Sequence, residues 1–321
     1  MWPPAMRAAM GRPLASDPPH GHHPGFAVGL ALAAAGSIAF SGKAIIVKLA
    51  YRHGVDAATL IMYRMLFALP AFLLLAWWSG RGKPRLTRRE LLAVLWLGFT
   101  GYYLASYLDF LGLQYITASL ERLILYLNPT LVLLLGWMLQ GHRVTGQRLL
   151  AMGVSYSGVL LVFGHDLGTQ GSGVVWGSLL VFASTISYAL YMAYSGAFVR
   201  RLGSLRLAGL ATSVACLLCV LQFLWLRPLS AAVVPAPVIW LSLLNATVCT
   251  VLPVLLVMMA IERIGAGLTA QTGMIGPLST ILMGVLILDE PFNGWIVAGT
   301  ALVVGGIFLV TRQRPVVAAR A

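Results

Sequence analysis

The chain has 321 residues, 59% of them hydrophobic and only 10% charged, with a formal net charge of +13. Soluble domains carry about 25% charged residues, so this composition excludes an ordinary water-soluble fold. The excess of Lys and Arg is no nucleic-acid signature, because no basic stripe with interleaved aromatics occurs and most basic residues sit between apolar runs.

The first 25 residues are rich in Pro, Gly and His and lack the apolar centre of a signal peptide, so residues 1–25 read as a disordered cytoplasmic tail. His20, His22 and His23 there read as solvated residues rather than as a metal site. Ten apolar runs follow, at about 26–50, 57–79, 90–111, 116–140, 147–165, 173–198, 206–226, 237–260, 264–288 and 294–311. Most have the roughly 20 residues that a helix needs to cross the bilayer's hydrocarbon. With the N-terminus inside, sixteen Lys and Arg fall in inside segments, from Arg7 to Arg320, against Arg52 and Arg227 outside. The positive-inside rule then predicts that both termini are cytoplasmic, in a multi-pass protein of the inner membrane. Cys216, Cys219 and Cys249 all lie in apolar runs and read as small packing residues.

An offset of 148 residues aligns Ile116–Val162 with Ile264–Val310 without a gap, with ten identities among 47 pairs. These include Pro129 with Pro277, Gly136 with Gly284, Gly146 with Gly294 and Gly158 with Gly306. The repeat unit is therefore five spans, and an odd number inverts the second copy. The expected fold is an all-α integral membrane protein, ten transmembrane helices as two inverted five-helix repeats over 26–165 and 173–311, with a cytoplasmic tail at 312–321. Inverted repeats are a mark of secondary transporters, whose substrates sit near midplane at the repeat interface.

Three stretches carry a family resemblance: AFSGKAIIVKLAYRHGVDAATLIMYRMLFALPAF, YITASLERLILYLNPTLVLLLGWMLQGHRVTGQ and RIGAGLTAQTGMIGPLSTILMGVLILDEPFNGW. The chain resembles the drug/metabolite transporter superfamily, specifically its EamA-type members, over about residues 26–311. The resemblance implies transport of a small organic metabolite or drug, and efflux rests on it alone. A nucleotide-sugar or cofactor carrier of the same superfamily is the alternative within transport. One departure is His142 in GHRVTG, where such proteins usually carry Glu, while the second half keeps the acid as Glu290. That position therefore reads as a structural turn rather than a coupling site.

Six ionisable residues fall within spans: Lys43, Lys48, Arg64, Asp109, Glu121 and Arg122. Each needs a partner or a watery cavity, because a charge at the bilayer centre costs at least about 2.5–3.5 kcal/mol. All six belong to the external half of the first repeat, and they read as an ion-pair network lining or closing the outer pathway. Four bases against two acids leave a positive surplus suited to an anionic or carboxylate-bearing solute. Lys48 and Asp109 equally fit headgroup-facing side chains. The second half replaces Glu121, Arg122 and Arg64 by Thr269, Ala270 and Thr212. Its polar candidates are Tyr188 and Tyr191 on one helix face, Asn245, and Gln271, with helix packing as the simpler role for the tyrosines. Glu121 and Asn128, seven apart, predict a stripe down one face of the fourth span.

Pro129 and Pro277 each leave a carbonyl, that of Leu125 or Gly273, without its helical donor. Their symmetric mid-span placement predicts a pair of hinges. No phosphate-binding loop or ATPase domain is present, so transport would draw on an ion gradient, with protons as the candidate coupling ion, on exchange, or on the solute's own gradient. No cofactor or metal is expected. An intramembrane enzyme would need a poised nucleophile or paired aspartates, and a channel a filter-like loop, and neither pattern occurs.

Overall fold

In the computed structural model, residues 24–140 and 145–312 are described; His20, His22, His23, His142 and the tails at 1–23 and 313–321 lie outside them. Every regular element is helical among these residues. The first half comprises α1 (Pro24–Tyr51), α2 (Ala57–Gly80), α3 (Arg88–Gly98) running through a π-helical turn (Phe99–Leu104) into α4 (Ala105–Gly112), α5 (Ala118–Leu125), α6 (Asn128–Gln140) and α7 (Gly146–Gln170). The second half comprises α8 (Gly173–Leu202), α9 (Ser204–Leu226), α10 (Ala236–Ala246) running through a π-helical turn (Thr247–Val251) into α11 (Leu252–Thr272), α12 (Ile275–Leu288) and α13 (Gly294–Arg312).

Local chemistry sets several of these boundaries. Asp56 caps α2 by accepting from the N–H groups of Ala58 and Thr59. Thr87 and Glu90 form a reciprocal capping box that starts α3. The side chain of Thr117 accepts from Leu120 N–H at the start of α5.

The 148-residue offset recurs in the backbone. Arg88 and Ala236 open equivalent helices, the π turns begin at Phe99 and Thr247, and Gly146 and Gly294 open the last helix of each half. The fourth span of each half is broken rather than bent, at Tyr126–Leu127 between α5 and α6 and at Gly273–Met274 between α11 and α12. Gly265, at φ +78°, interrupts α11 so that residues 266–272 mirror α5. The sequence treats 264–288 as one continuous span, whereas here it is two short helices. Eight helical stretches are long and apolar enough to cross a membrane, while Ile275–Leu288 and Gly294–Leu309 are shorter apolar helices.

Packing exchanges elements between halves. α1 lies against α11 and α12, and its mate α8 lies against α4, α5 and α6. The matched helices α2 and α9 pack together, as do α7 and α13. On α7 and α13, Gly158 faces Gly299, the Ser155 hydroxyl donates to Val303 O (3.4 Å), and Gly306 faces Ala151, so the two run antiparallel. Glycine is required there: a Cβ on Gly158 would sit 2.6 Å from the carbonyl of Gly299. On α2 and α9, Ala76 meets Gly209 while Met65 meets Cys216, which is again antiparallel. All three cysteines are free and buried.

Candidate functional site

The first repeat gathers its charges where α1, α2, α4 and α5 meet the π turn of the second half. The Lys43 ammonium sits between two carboxylates, 2.5 Å from Asp109 Oδ2 and 3.3 Å from Glu121 Oε1. Glu121 has no exposure and Asp109 has 2%, and among the described residues both acids form their salt bridges with Lys43. Glu121 pairs with Lys43 and not with its sequence neighbour Arg122. Successive residues on a helix point about 100° apart, and Arg122 turns instead to Thr280 on α12, donating from Nε to Oγ1 at 2.8 Å and from Nη2 to Phe40 O at 3.2 Å.

Arg64 is held by the π turn. Its Nε donates to Thr250 Oγ1 (3.0 Å), and that hydroxyl donates to Asn245 O five residues back (2.8 Å). The guanidinium also lies over the Phe110 ring, 5.2 Å from its centroid, a favourable place for a desolvated cation. Arg64 is 4% exposed and Arg122 is 8%, so neither reaches out of the fold.

Several buried polar atoms find no hydrogen-bond partner among the described residues: Arg64 Nη1, Asp109 Oδ1, Glu121 Oε2, Asn245 Oδ1 and Asn128 Nδ2. Buried polar groups are almost always satisfied, so the free atoms of Arg64 and Asn245 leave hydrogen-bonding capacity beside the charge cluster. Asn128 opens α6 beyond the break at Tyr126–Leu127, which interrupts the continuous stripe expected from Glu121.

Lys48 belongs elsewhere. Its ammonium donates to the carbonyls of Ile116 (2.7 Å) and Leu113 (3.3 Å), closing the end of α4. It forms no salt bridge with Asp109 or Glu121. The positive surplus at the cluster is therefore one, from Lys43, Arg64 and Arg122 against Asp109 and Glu121.

Offset by 148, Lys43 becomes Tyr191, Thr250 becomes Tyr102 and Arg64 becomes Thr212. The mate of the charge cluster is accordingly a tyrosine cluster. Tyr102 and Tyr191 place their hydroxyls 3.2 Å apart with edge-on rings, and Tyr188 stacks on Tyr191 with centroids 5.5 Å apart. Gly101 lies against the Tyr191 ring and leaves no room for a Cβ. Gln271 is exposed near the end of α11.

The two helix breaks meet. Tyr126, in the first, donates its hydroxyl to Gly273 O in the second at 2.6 Å, and the Ser37 hydroxyl donates to the same oxygen at 2.8 Å. This is the carbonyl that Pro277 deprives of its helical donor, here satisfied by side chains from the other half. Pro129 and Pro277 thus each stand three to four residues past the start of a break, and not at a bend.

Glu290 ties the two halves together at the start of α5. It accepts from Ala118 N (2.6 Å), Ser119 N (3.2 Å) and Ser119 Oγ (2.7 Å), so a carboxylate from the second half caps α5 of the first. Arg52 donates to Leu288 O nearby (3.0 Å). The sequence marks Glu290 only as a turn residue; its reach across the halves had no local signal. Thr250, Thr280 and Phe110 at the charge cluster and Tyr102 at its mate carry no local signal either, since only the packing of distant helices places them.

An all-helical chain of two matched halves, with a polar centre where they meet, is the architecture of a multi-pass membrane transporter. A profile of the EamA-like transporter family matches twice, at residues 27–164 and 175–312, and the chain belongs to that family. It is similar to the uncharacterized transporter YcbK of Bacillus subtilis (strain 168), 28% identical over 280 residues that cover 86% of this chain and 88% of that one. The uncharacterized transporter YetK of the same organism is 26% identical over 261 residues, 78% of this chain and 77% of its own. An uncharacterized transporter of Archaeoglobus fulgidus is 23% identical over 279 residues, covering 86% and 94%. A protein of known crystal structure shares the fold, with a TM-score of 0.58, 19% identity, and coverage of 89% of this chain and 97% of that one.

Proposed function

We propose that the protein is a secondary transporter that moves a small, carboxylate-bearing organic metabolite or drug out across the inner membrane. Ten spans in two inverted five-helix repeats, with both termini cytoplasmic, exchange an outward-facing and an inward-facing packing. The observation that carries this reading is Lys43 locked between Asp109 and Glu121 beside the unpaired Arg64 Nη1. A solute carboxylate docks on Arg64, and Asn245 and Asn128 orient its polar groups.

Asp109 and Glu121 bracket the same ammonium, so the cluster has a natural place for one coupled proton. Shared between the two carboxyls, it leaves a single acid charge against Lys43. Tyr102, Tyr188 and Tyr191 line the inner half of the path. The breaks ahead of Pro129 and Pro277 act as paired hinges, and the Glu290 cap closes the outer end. The repeats at 26–165 and 173–311 are the moving units.

The test is uptake and counterflow in proteoliposomes with amino acids, organic acids and cationic drugs, with and without a proton gradient. Carboxylate-bearing solutes should be carried, and Glu121→Gln and Arg64→Gln should each lower the flux by tenfold or more, the scale of about 1.4 kcal/mol per decade. Unchanged flux in Glu121→Gln would remove the charge cluster from the pathway, and preferential transport of cations would reverse the assigned substrate class.

A further inference from the structure

The matched helices α2 and α9 begin differently. At the outer end, Asp56 caps α2, accepting from Ala58 N (3.0 Å), Thr59 N (3.2 Å) and Thr59 Oγ1 (2.6 Å), and it pairs with Arg227 Nε at 3.2 Å. The 148-residue offset carries Asp56 to Ser204 and Arg227 back to Ser79. Two serines thus stand where the mate has an ion pair, and a cavity of about 320 Å³ occupies the place, lined by both serines, Trp78, Lys83, Gly203, Leu205 and Arg206. No side chain caps α9.

Cations that the outer end lacks surround this cavity. Lys83 and Arg206 correspond to Ala231 and Ala58 in the other half. Lys83 Nζ donates to Leu202 O (3.2 Å), and Arg206 Nη2 donates to Pro84 O (3.0 Å). Each tie uses one donor of a side chain that has several, so both heads are positioned with donors to spare. Gly203, at φ +87°, brings the backbone so close that a Cβ would lie 3.1 Å from Lys83 Nζ. The nearby acid Glu90 is engaged by Thr87 and by Arg201 at 2.8 Å, and it also feels the Arg206 charge, so Lys83 is the cation without a nearby acid partner among the described residues. Trp77 and Trp78, 59% and 63% exposed, flank the site at the end of an apolar helix, with Arg81 3.7 Å over the Trp77 ring. Exposed tryptophans at that level suit the headgroup layer.

We propose that this cavity is a phosphate site for the headgroup of an anionic phospholipid, which supplies to α9 the negative charge that Asp56 supplies to α2. Basic pockets between transmembrane helices take such headgroups. The phosphate accepts from Lys83, Arg206 and the serine hydroxyls, and the acyl chains run along the exposed face of α2 past Trp78. This site is separate from the solute path and does not depend on what is carried.

The experiment is native mass spectrometry of the full chain in detergent, titrated with phosphatidylglycerol, phosphatidylcholine or inorganic phosphate, with thermal unfolding in parallel. Phosphatidylglycerol should bind saturably and raise the unfolding midpoint. Lys83→Gln should bind it roughly fivefold more weakly, the scale of one surface cation, and Lys83→Arg should retain it. Ser204→Asp, which places the mate's carboxylate in the cavity, should abolish binding while leaving the lipid-free midpoint unchanged or raised. Wild-type binding in both Lys83→Gln and Ser204→Asp overturns the site. Phosphatidylcholine binding as tightly as phosphatidylglycerol overturns the charge assignment, and saturation by inorganic phosphate with no further effect of lipid overturns the lipid source.

Discussion

Lys43 and Tyr191 occupy the same place in the two halves and do opposite things there. Around Lys43 stand two carboxylates and a guanidinium resting on a π turn; around Tyr191 stand two more tyrosines beside the matching π turn. The backbone devices are shared: a π turn in the third span, a break in the fourth, and glycine contacts in the fifth. The side chains are not. Duplication gives both halves the same scaffold, while only the first half sets charged side chains at the matched position. Divergence therefore concentrates in the residues that reach the interface, and the scaffold that shapes it stays common to both halves.

The sharpest break in this comparison is a matched pair of substitutions. Lys43→Met leaves two buried carboxylates without their cation and should cost about 3–5 kcal/mol, the usual range for removing one partner of a buried pair. Tyr191→Phe removes one hydroxyl–hydroxyl bond and should cost about 1 kcal/mol. Unfolding in detergent micelles reads both, with counterflow run in parallel. Equal losses would mean that the charged half is no more specialised than its mate.

A smaller effect is expected at the Glu290 cap. Glu290→Ala uncaps α5, and hydrogen bonds to a charged group are worth about 1.5–3 kcal/mol. Glu290→Gln keeps one carbonyl acceptor for Ala118 N–H and should recover about half of the lost unfolding free energy. If Gln is as damaging as Ala, the carboxylate acts through charge rather than by capping, and the closure belongs to electrostatics. The equivalent position in the first half is His142, which lies outside the described residues.

Much of this architecture is legible from residue order alone, because apolar length and a 148-residue period report directly on membrane thickness and duplication. Arg64, Glu121, Arg122 and Lys43 stand out as costly charges for the same reason. Their partners do not. Glu121 and Arg122 are adjacent in sequence and so look paired, yet helix geometry sends them to different neighbours, Lys43 and Thr280. The π turns at Phe99 and Thr247 add one residue to a helical turn without any residue type that announces it. Pro129 and Pro277 signal interruptions, but the breaks fall a few residues earlier, where Tyr126 and Gly273 bond across the halves. Contacts between elements more than a hundred residues apart carry no local pattern, and the functional centre is built mostly of those.

The mildest contrast lies at the helix starts, Asp56 on α2 against Ser204 on α9, and pH separates them. Burial would raise the Asp56 carboxyl, but hydrogen bonds from the Thr59 hydroxyl and N–H, the Arg227 charge and the Ala58 N–H hold it below the ordinary value of about 3.9. A carboxyl depressed in the fold stabilises it above the unfolded-state value and loses that contribution as pH falls through the folded-state value. Wild-type protein should therefore begin to lose this increment of stability as pH falls below the unfolded-state value of about 3.9, and lose it in full once Asp56 is protonated at its lower folded-state value. Asn caps helices as well as Asp does, and a partly exposed ion pair adds little, so Asp56→Asn should cost only about 0.5 kcal/mol at neutral pH. The variant's unfolding midpoint should then converge on that of the wild type as the medium is acidified. A gap that stays constant from pH 7 to pH 3 would show that Asp56 stabilises α2 by shape alone, and it would weaken the reading of Ser204 as the site of a missing negative charge.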